Sequence, residues 1–420
     1  MGKALLLVRV MLMKVEKREL GEDESILVCG PARIKGISGR LRIANTLTNS
    51  YLAKVGETVA VEALDDCIVS LHMREGSSLI EKNRFTDVNV PQIWHKYARD
   101  ILQVTPATVM IVGGTDTGKT TFSSFLARKG LDAGRKVALI DSDMGQSGIG
   151  PPTTLGMAFL KEGNMRYTNP DALYFLGTTS VRYVEDVVVG VGRLCDKAHD
   201  ATLKIIDTCG YVGEETGRRL KCAKLEIVRP DFLVGLQRED ELEYLLRSYP
   251  PSRVIRAQVP ESIQRVSREA RKRIRETRYR RAFKNALERM YDMEELRLKS
   301  TYFKTGARIE GAIFEKLLNC QVLYAEDIPE GYLLVRKRGE EEYSHNETRI
   351  HVPALRLLDA GWEENLICGL EKEGECVGIG IIKKINYTNE MVNIFSERMD
   401  FDTMKLGRVY VNENGEELGF

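Results

Sequence analysis

Residues 113 to 122 read "GGTDTGKTTF" and follow the apolar run "ATVMIV". Gly113, Gly118, Lys119 and Thr120 meet the spacing G-x-x-x-x-G-K-[ST], which a chain of this length produces by chance about once in a hundred. Each residue type has a physical reason. Glycines let backbone N–H groups close around phosphate oxygens, a lysine ammonium reaches the β and γ phosphates, and the threonine hydroxyl is a ligand for Mg²⁺. Gly114, Thr115, Asp116, Thr117 and Thr121 complete the loop as candidate nucleotide contacts.

A second acidic stretch, "KVALIDSDMGQSGIGPPTT", begins at Lys136. An apolar strand that delivers a carboxylate at its carboxyl end is the usual partner of a phosphate loop at a Mg²⁺–nucleotide site. Asp141 and Asp143 stand two apart, so on an extended backbone they point the same way. One can serve the metal while the other takes a proton. A nucleotide hydrolase needs only the first task and a positioned water, whereas a kinase also needs a group to receive the proton of an acceptor hydroxyl. A third carboxylate, Asp207, opens "DTCG", the D-x-x-G pattern of nucleotide switches, which is four letters long and unspecific. Tyr211, just beyond, suits either a base stack or a core position.

The positioning elements follow from periodicity. Residues 1–88 read as short strands broken by turn residues, a small β domain. "VPQIWHKYARDILQV" has helical spacing, and from there strands ("TVMIV", "KVALID", "LYFLG", "LKIID", "FLVGL") alternate with helices. That alternation predicts an α/β P-loop domain over 89–292, a parallel sheet with ligands at the carboxyl ends of its strands. Residues 293–420 read as a β-rich carboxyl-terminal domain, "GAIFEKLLNCQVLYAED" included.

Composition excludes several classes. With 43% hydrophobic and 29% charged residues, the chain is neither disordered nor collagenous. The run "ALLLVRVMLMKV" is too short, and too interrupted by Arg9, to span a bilayer, so a strand and no membrane are expected. Eight cysteines lack any C-x-x-C pair, so neither a disulfide framework nor a zinc site is indicated and a reducing cytoplasm is the expected location. Net charge is +1, yet Arg253 to Lys284 carries twelve Arg or Lys against three Glu. A helix over about 260–285, opening near Pro260, would set Arg268, Arg271, Arg275 and Arg278 on one face beside the stripe Val266, Ala270 and Ile274. Such a block is either a solvated face or the footprint of an anion; unlike a solvated face it hardly mixes signs.

Taken together, "GGTDTGKTT", "DSDMGQSGIGPPTT", "YFLGTTS", "DTCGYV" and the arginine helix resemble the polynucleotide 5′-hydroxyl kinase family. The resemblance implies ATP and Mg²⁺ as cofactors and the 5′-hydroxyl end of RNA, or of DNA, as acceptor. It implies that Lys119 and Thr120 bind the phosphates and Mg²⁺, with Asp116 close to the reaction centre. Asp143 becomes the base or orienting group, with Asp141 and Gln146 in the metal and water shell. Thr178, Thr179 and Ser180 are similar to a clasp on the terminal phosphodiester, and Tyr211 stands where many members stack a tryptophan. The arginines of residues 268 to 281 are similar to a lid over the nucleotide, with Arg271, Arg275 and Arg280 as alternatives for the contact to the γ-phosphate. Val181 departs from a proline common in the clasp. A nucleotide hydrolase switch and a non-catalytic ATP-binding scaffold of RNA processing are the alternatives.

Overall fold

A computed structural model describes residues 14–20, 25–44, 46–63, 65–82, 91–145, 148–161, 170–180, 183–259, 267–339 and 354–418. Contacts group the chain into two units. The first takes in Met1–Ser142, Met157–Asn169 and Cys195–Ala270; the second takes in Asp143–Gly156, Pro170–Leu194 and Arg271–Phe420.

In the first unit the apolar runs form a parallel sheet in the order Val254–Gln258, Phe232–Gln237, Ala107–Gly113, Leu203–Thr208, Val137–Ser142. Val109, Ile111, Ile140, Ile205 and Val234 are fully buried, as strands covered on both faces require. Val254–Gln258 is a strand the sequence reading missed, because "VIRAQ" breaks its apolar run with an arginine at the sheet's edge. The helix Gln92–Leu102 packs Trp94 edge-on against Phe122 of the helix Lys119–Asp132, ring centroids 4.9 Å apart.

The amino-terminal strands of this unit form two antiparallel sheets. One orders Lys14–Leu20, Cys67–Met73, Ala32–Ser38 and Ser50–Ala53; the other orders Thr46–Leu47, Leu41–Ile43, Thr58–Ala63, Ser25–Cys29 and Ser78–Lys82. Their alternating residues Ile34, Ile43, Val61, Val69 and Leu71 make a separate core. Glu62 of this region pairs with Arg128 of the helix Lys119–Asp132 at 3.3 Å, both side chains almost fully buried. Most of "ALLLVRVMLMKV", expected as a strand, lies outside the described residues.

The second unit is mostly antiparallel. Glu375–Asn386 pairs with Leu366–Lys372 and Met391–Ser396, and Leu366–Lys372 pairs with Thr403–Val411. Ala172–Phe175, expected in a parallel sheet, pairs antiparallel with Glu375–Asn386 at Leu173 and Cys376. "GAIFEKLL", expected as strand, is the helix Ala312–Leu318, ended by Asn319 in the left-handed conformation (φ 48°). Its isoleucine and leucine, four apart, fit a helical face as well as a strand, and short apolar runs do not separate the two. The arginine-rich helix is Arg268–Ala282. Ser267 caps it, its Oγ accepting from Ala270 N at 3.1 Å. The start expected near Pro260, and Val266 of the expected apolar stripe, lie outside the described residues.

Candidate functional site

The strand Ala107–Gly113 runs into the loop and then into the helix Lys119–Asp132. A Cβ on Gly113 would meet Thr117 Oγ1 at 2.5 Å and Leu236 O at 2.7 Å, so only glycine fits there. Gly118 (φ 91°) and Asp116 (φ 54°) both adopt left-handed backbone, which turns successive N–H groups toward one side of the loop. Thr117 Oγ1 donates to Gly114 O at 3.0 Å, and the buried Lys119 ammonium donates to the same oxygen at 2.6 Å. Arg238, from "GLQRED", holds the loop from outside through Nη2 to Asp116 O at 2.6 Å.

Two carboxylates stand at the carboxyl ends of neighbouring parallel strands. Asp141 and Asp207 are register partners, and both side chains are buried. Thr120 Oγ1 donates to Asp207 Oδ2 at 2.7 Å, which ties the phosphate loop to the D-x-x-G turn. Gly210 of that turn presses on the loop: a Cβ there would lie 2.7 Å from Thr115 Cα and 2.8 Å from Thr115 N. The glycine of D-x-x-G is therefore required by close backbone approach.

Behind the carboxylates sit two fully buried lysines from the helix Glu214–Val228. Lys221 Nζ donates to Cys209 O at 2.5 Å, two residues after Asp207. Lys224 Nζ donates to Ser142 Oγ at 2.8 Å and Ser142 O at 3.1 Å, next to Asp141. Ser142 Oγ in turn donates to Asp207 O at 2.8 Å. The ammonium groups thus fix both strand ends by charge-assisted bonds and bring positive charge behind the acidic pair. Sequence reasoning missed these lysines. The available signal was a pair of charges, three apart, on the stripe Gly217, Leu220, Lys221, Lys224 and Leu225 that helical periodicity turns inward.

The remaining candidates divide between the units. Tyr211, in the first, is half-exposed and donates through its hydroxyl to Glu214 Oε2 at 2.7 Å, a bond that raises its pKa. In the second, Asp143 accepts from Gly145 N at 2.9 Å through Oδ1, and Gln146 lies outside the described residues, as does Val181. Thr178 is buried with its hydroxyl accepting from Ser180 N at 3.0 Å, while Thr179 and Ser180 are half-buried. Of the helix arginines, Arg271 is half-buried and Arg280 is exposed. Arg275 makes a two-pronged ion pair with Glu417, Nε to Oε1 at 2.6 Å and Nη2 to Oε2 at 2.7 Å, and this contact raises its pKa further.

Residues 113–285 match the family model described as mRNA cleavage and polyadenylation factor CLP1 P-loop. The chain is 32% identical over 328 residues to the polyribonucleotide 5′-hydroxyl-kinase of Methanocaldococcus jannaschii, covering 75% of this chain and 90% of that one. It is 32% identical over 354 residues to the protein of the same description from Thermococcus kodakarensis, covering 81% and 98%. The chain belongs to the polynucleotide 5′-hydroxyl kinase family. Among solved structures, Clp1p in its complex with Pcf11p shares the fold, with a TM-score of 0.65 at 11% identity over 95% of this chain and 99% of that one. The family model's span contains the loop, both buried carboxylates, the two lysines and the arginine-rich helix, so the family's P-loop region and the described geometry coincide.

Proposed function

We propose that this protein is a kinase that transfers the γ-phosphate of ATP to the 5′-hydroxyl end of RNA, with DNA ends as a second acceptor. The observation that carries the proposal is the Thr120–Asp207 bond beside Asp141 at a complete phosphate loop, in a chain whose archaeal relatives bear the name polyribonucleotide 5′-hydroxyl-kinase. Lys119 and the N–H groups of residues 113–121 bind the phosphates, the lysine ammonium leaving Gly114 O for the nucleotide. The hydroxyl of Thr120 and the carboxylates of Asp141 and Asp207 are hard oxygen donors suited to Mg²⁺. Among the described residues no group of three or more His, Cys, Asp or Glu could hold a metal ion; a nucleotide-bound Mg²⁺ needs only one or two protein carboxylates besides phosphate and water. When bound, the ion neutralises charge on the phosphates.

Asp143, two residues beyond Asp141, is assigned to the acceptor hydroxyl, orienting it and taking its proton, with Gln146 in the surrounding water shell. Thr178, Thr179 and Ser180 hold the terminal phosphodiester, Tyr211 stacks on the end base, and Arg271 contacts the nucleotide. Because the Arg275 guanidinium is already engaged by Glu417, we assign the transition-state charge to Arg280 and the fastening of the helix to Arg275. Catalysis is then positioning and electrostatics. The proposal keeps three domains, 1–88, 89–292 and 293–420. A cytoplasmic location also belongs to it; among the described residues, no helix is long and apolar enough to cross a membrane.

The test is transfer of labelled γ-phosphate from ATP to RNA and DNA oligonucleotides bearing a 5′-hydroxyl, with 5′-phosphorylated oligonucleotides and Asp143→Asn alongside. Label on hydroxyl ends only, reduced at least about a hundredfold in the variant as for loss of a general base, is the expected result. Nucleotide hydrolysis without labelled oligonucleotide would point to a switch, and binding without turnover to a scaffold.

A further inference from the structure

Arg408 lies on the strand Thr403–Val411, 230 residues away in sequence from Thr178. Its backbone N–H donates to Gly177 O at 2.7 Å, directly before the Thr178–Ser180 stretch. Its guanidinium lies over the ring of Tyr183, 3.6 Å from the centroid and three residues beyond Ser180 in sequence. One residue therefore touches both ends of the segment assigned to the clasp.

The approach is fixed by glycines. A Cβ on Gly177 (φ 72°) would meet Gly407 Cα at 2.7 Å, and one on Gly407 would meet Gly177 O at 3.0 Å. Lys405, on the same strand, donates to Phe175 O at 3.1 Å and fastens the strand that leads into the segment. The position of Arg408 relative to Gly177 is thus set by the main chain rather than by a flexible side chain.

Arg408 differs in its pairing from several basic residues of this unit. Arg275, Lys299, Lys304, Arg308, Arg336 and Lys383 each pair with a carboxylate. Among the described residues none pairs with Arg408, which is exposed. A guanidinium held over an aromatic ring loses little freedom on binding and keeps N–H donors for a phosphate.

We propose that Arg408, oriented by Tyr183, binds a phosphodiester of the polynucleotide substrate next to the clasp, as a substrate-binding residue supplied by the carboxyl-terminal strand. The inference rests on the kinase reading for its substrate class. It explains why a strand so remote in sequence is joined to this segment by two glycines.

The test compares wild type with Arg408→Ala, Arg408→Lys and Tyr183→Ala in 5′-hydroxyl oligonucleotide phosphorylation over a range of salt. The expected result for Arg408→Ala is a KM for oligonucleotide raised about tenfold, with the salt slope of log KM reduced by about 0.7, one phosphate contact on a single strand. Arg408→Lys should restore the salt slope but only part of the KM, and Tyr183→Ala should raise KM with the slope kept. An unchanged KM and slope in Arg408→Ala would overturn the inference. So would a fall in kcat with KM and slope unchanged, because a merely structural strand contact gives that pattern. Should wild type transfer no label, the kinase reading fails, and fluorescence anisotropy of the same oligonucleotide still decides the matter for Arg408: equal affinity of wild type and Arg408→Ala would overturn it.

Discussion

If Arg275 fastens the arginine-rich helix, its partner should matter as much as the arginine itself. The pair joins Arg275 to Glu417 across 142 residues of sequence by two bonds of 2.6 and 2.7 Å. The side chains are 20% and 15% exposed, so water restores part of what is lost when one is removed. Charge-assisted hydrogen bonds contribute about 1.5–3 kcal/mol each when well shielded. Discounted for this exposure, Arg275→Ala should destabilise the unit by about 2 kcal/mol, and Glu417→Gln, which keeps one acceptor, by about 1 kcal/mol. At roughly 2–4 °C per kcal/mol for a unit of this size, melting should fall by about 4–8 °C and 2–4 °C. Gly415 strengthens the case that this contact is built in, since a Cβ there would lie 2.5 Å from Arg280 N.

Activity then separates anchor from catalyst. Loosening an anchored helix by about 2 kcal/mol lowers the docked population by at most about 30-fold. Losing an arginine that stabilises a transferring phosphoryl group costs on the order of 10³–10⁵ in kcat. Steady-state kinase assays and thermal unfolding of Arg275→Ala, Glu417→Gln and the double variant would be measured together, the double variant testing whether the two effects share one contact. Both single variants should lose activity in proportion to their loss of stability. A thousandfold loss in Arg275→Ala with Glu417→Gln fully active would refute the reasoning and return Arg275 to the phosphoryl group.

Two further outcomes are expected. Gly210→Ala should push Thr115 and the phosphate loop out of place, lowering kcat/KM for ATP by about 10- to 100-fold as small misplacements do; unchanged ATP kinetics would show that the loop absorbs the methyl group. Glu243 is held well below the usual 4.5, at about 2, by hydrogen bonds first from Arg256, then Gln237 and Arg247. Its folded value lies below its unfolded one, so the stability it contributes is present above about pH 4.5 and lost as pH falls towards 2. Urea midpoints of wild type between pH 6 and 2 should therefore fall more steeply below pH 4.5 than those of Glu243→Gln, and parallel curves would refute the assignment.

The phosphate loop was legible because its requirements are local. Gly113, Gly118, Lys119 and Thr120 are dictated by backbone conformations and a ligand within one strand, one turn and one helix, so their spacing in sequence is their spacing in space. The parallel strands were legible for a related reason: a strand buried on both faces must be largely apolar, as "TVMIV" is. The edge strand Val254–Gln258 escaped because an edge relaxes that demand, and the helix Ala312–Leu318 because seven residues are too few to separate the two periods.

Tertiary structure alone decided which carboxylate meets Thr120. Asp141, Asp143 and Asp207 are chemically alike, and sheet order brings Asp207 to Thr120 from 87 residues away. It likewise decided that Arg275 faces Glu417 rather than solvent, and that Lys221 and Lys224 lie buried against strand ends rather than on a charged surface. Helical spacing assigns a residue to a face; what covers that face is set by chain segments far off in sequence, and only the packed fold brings them together.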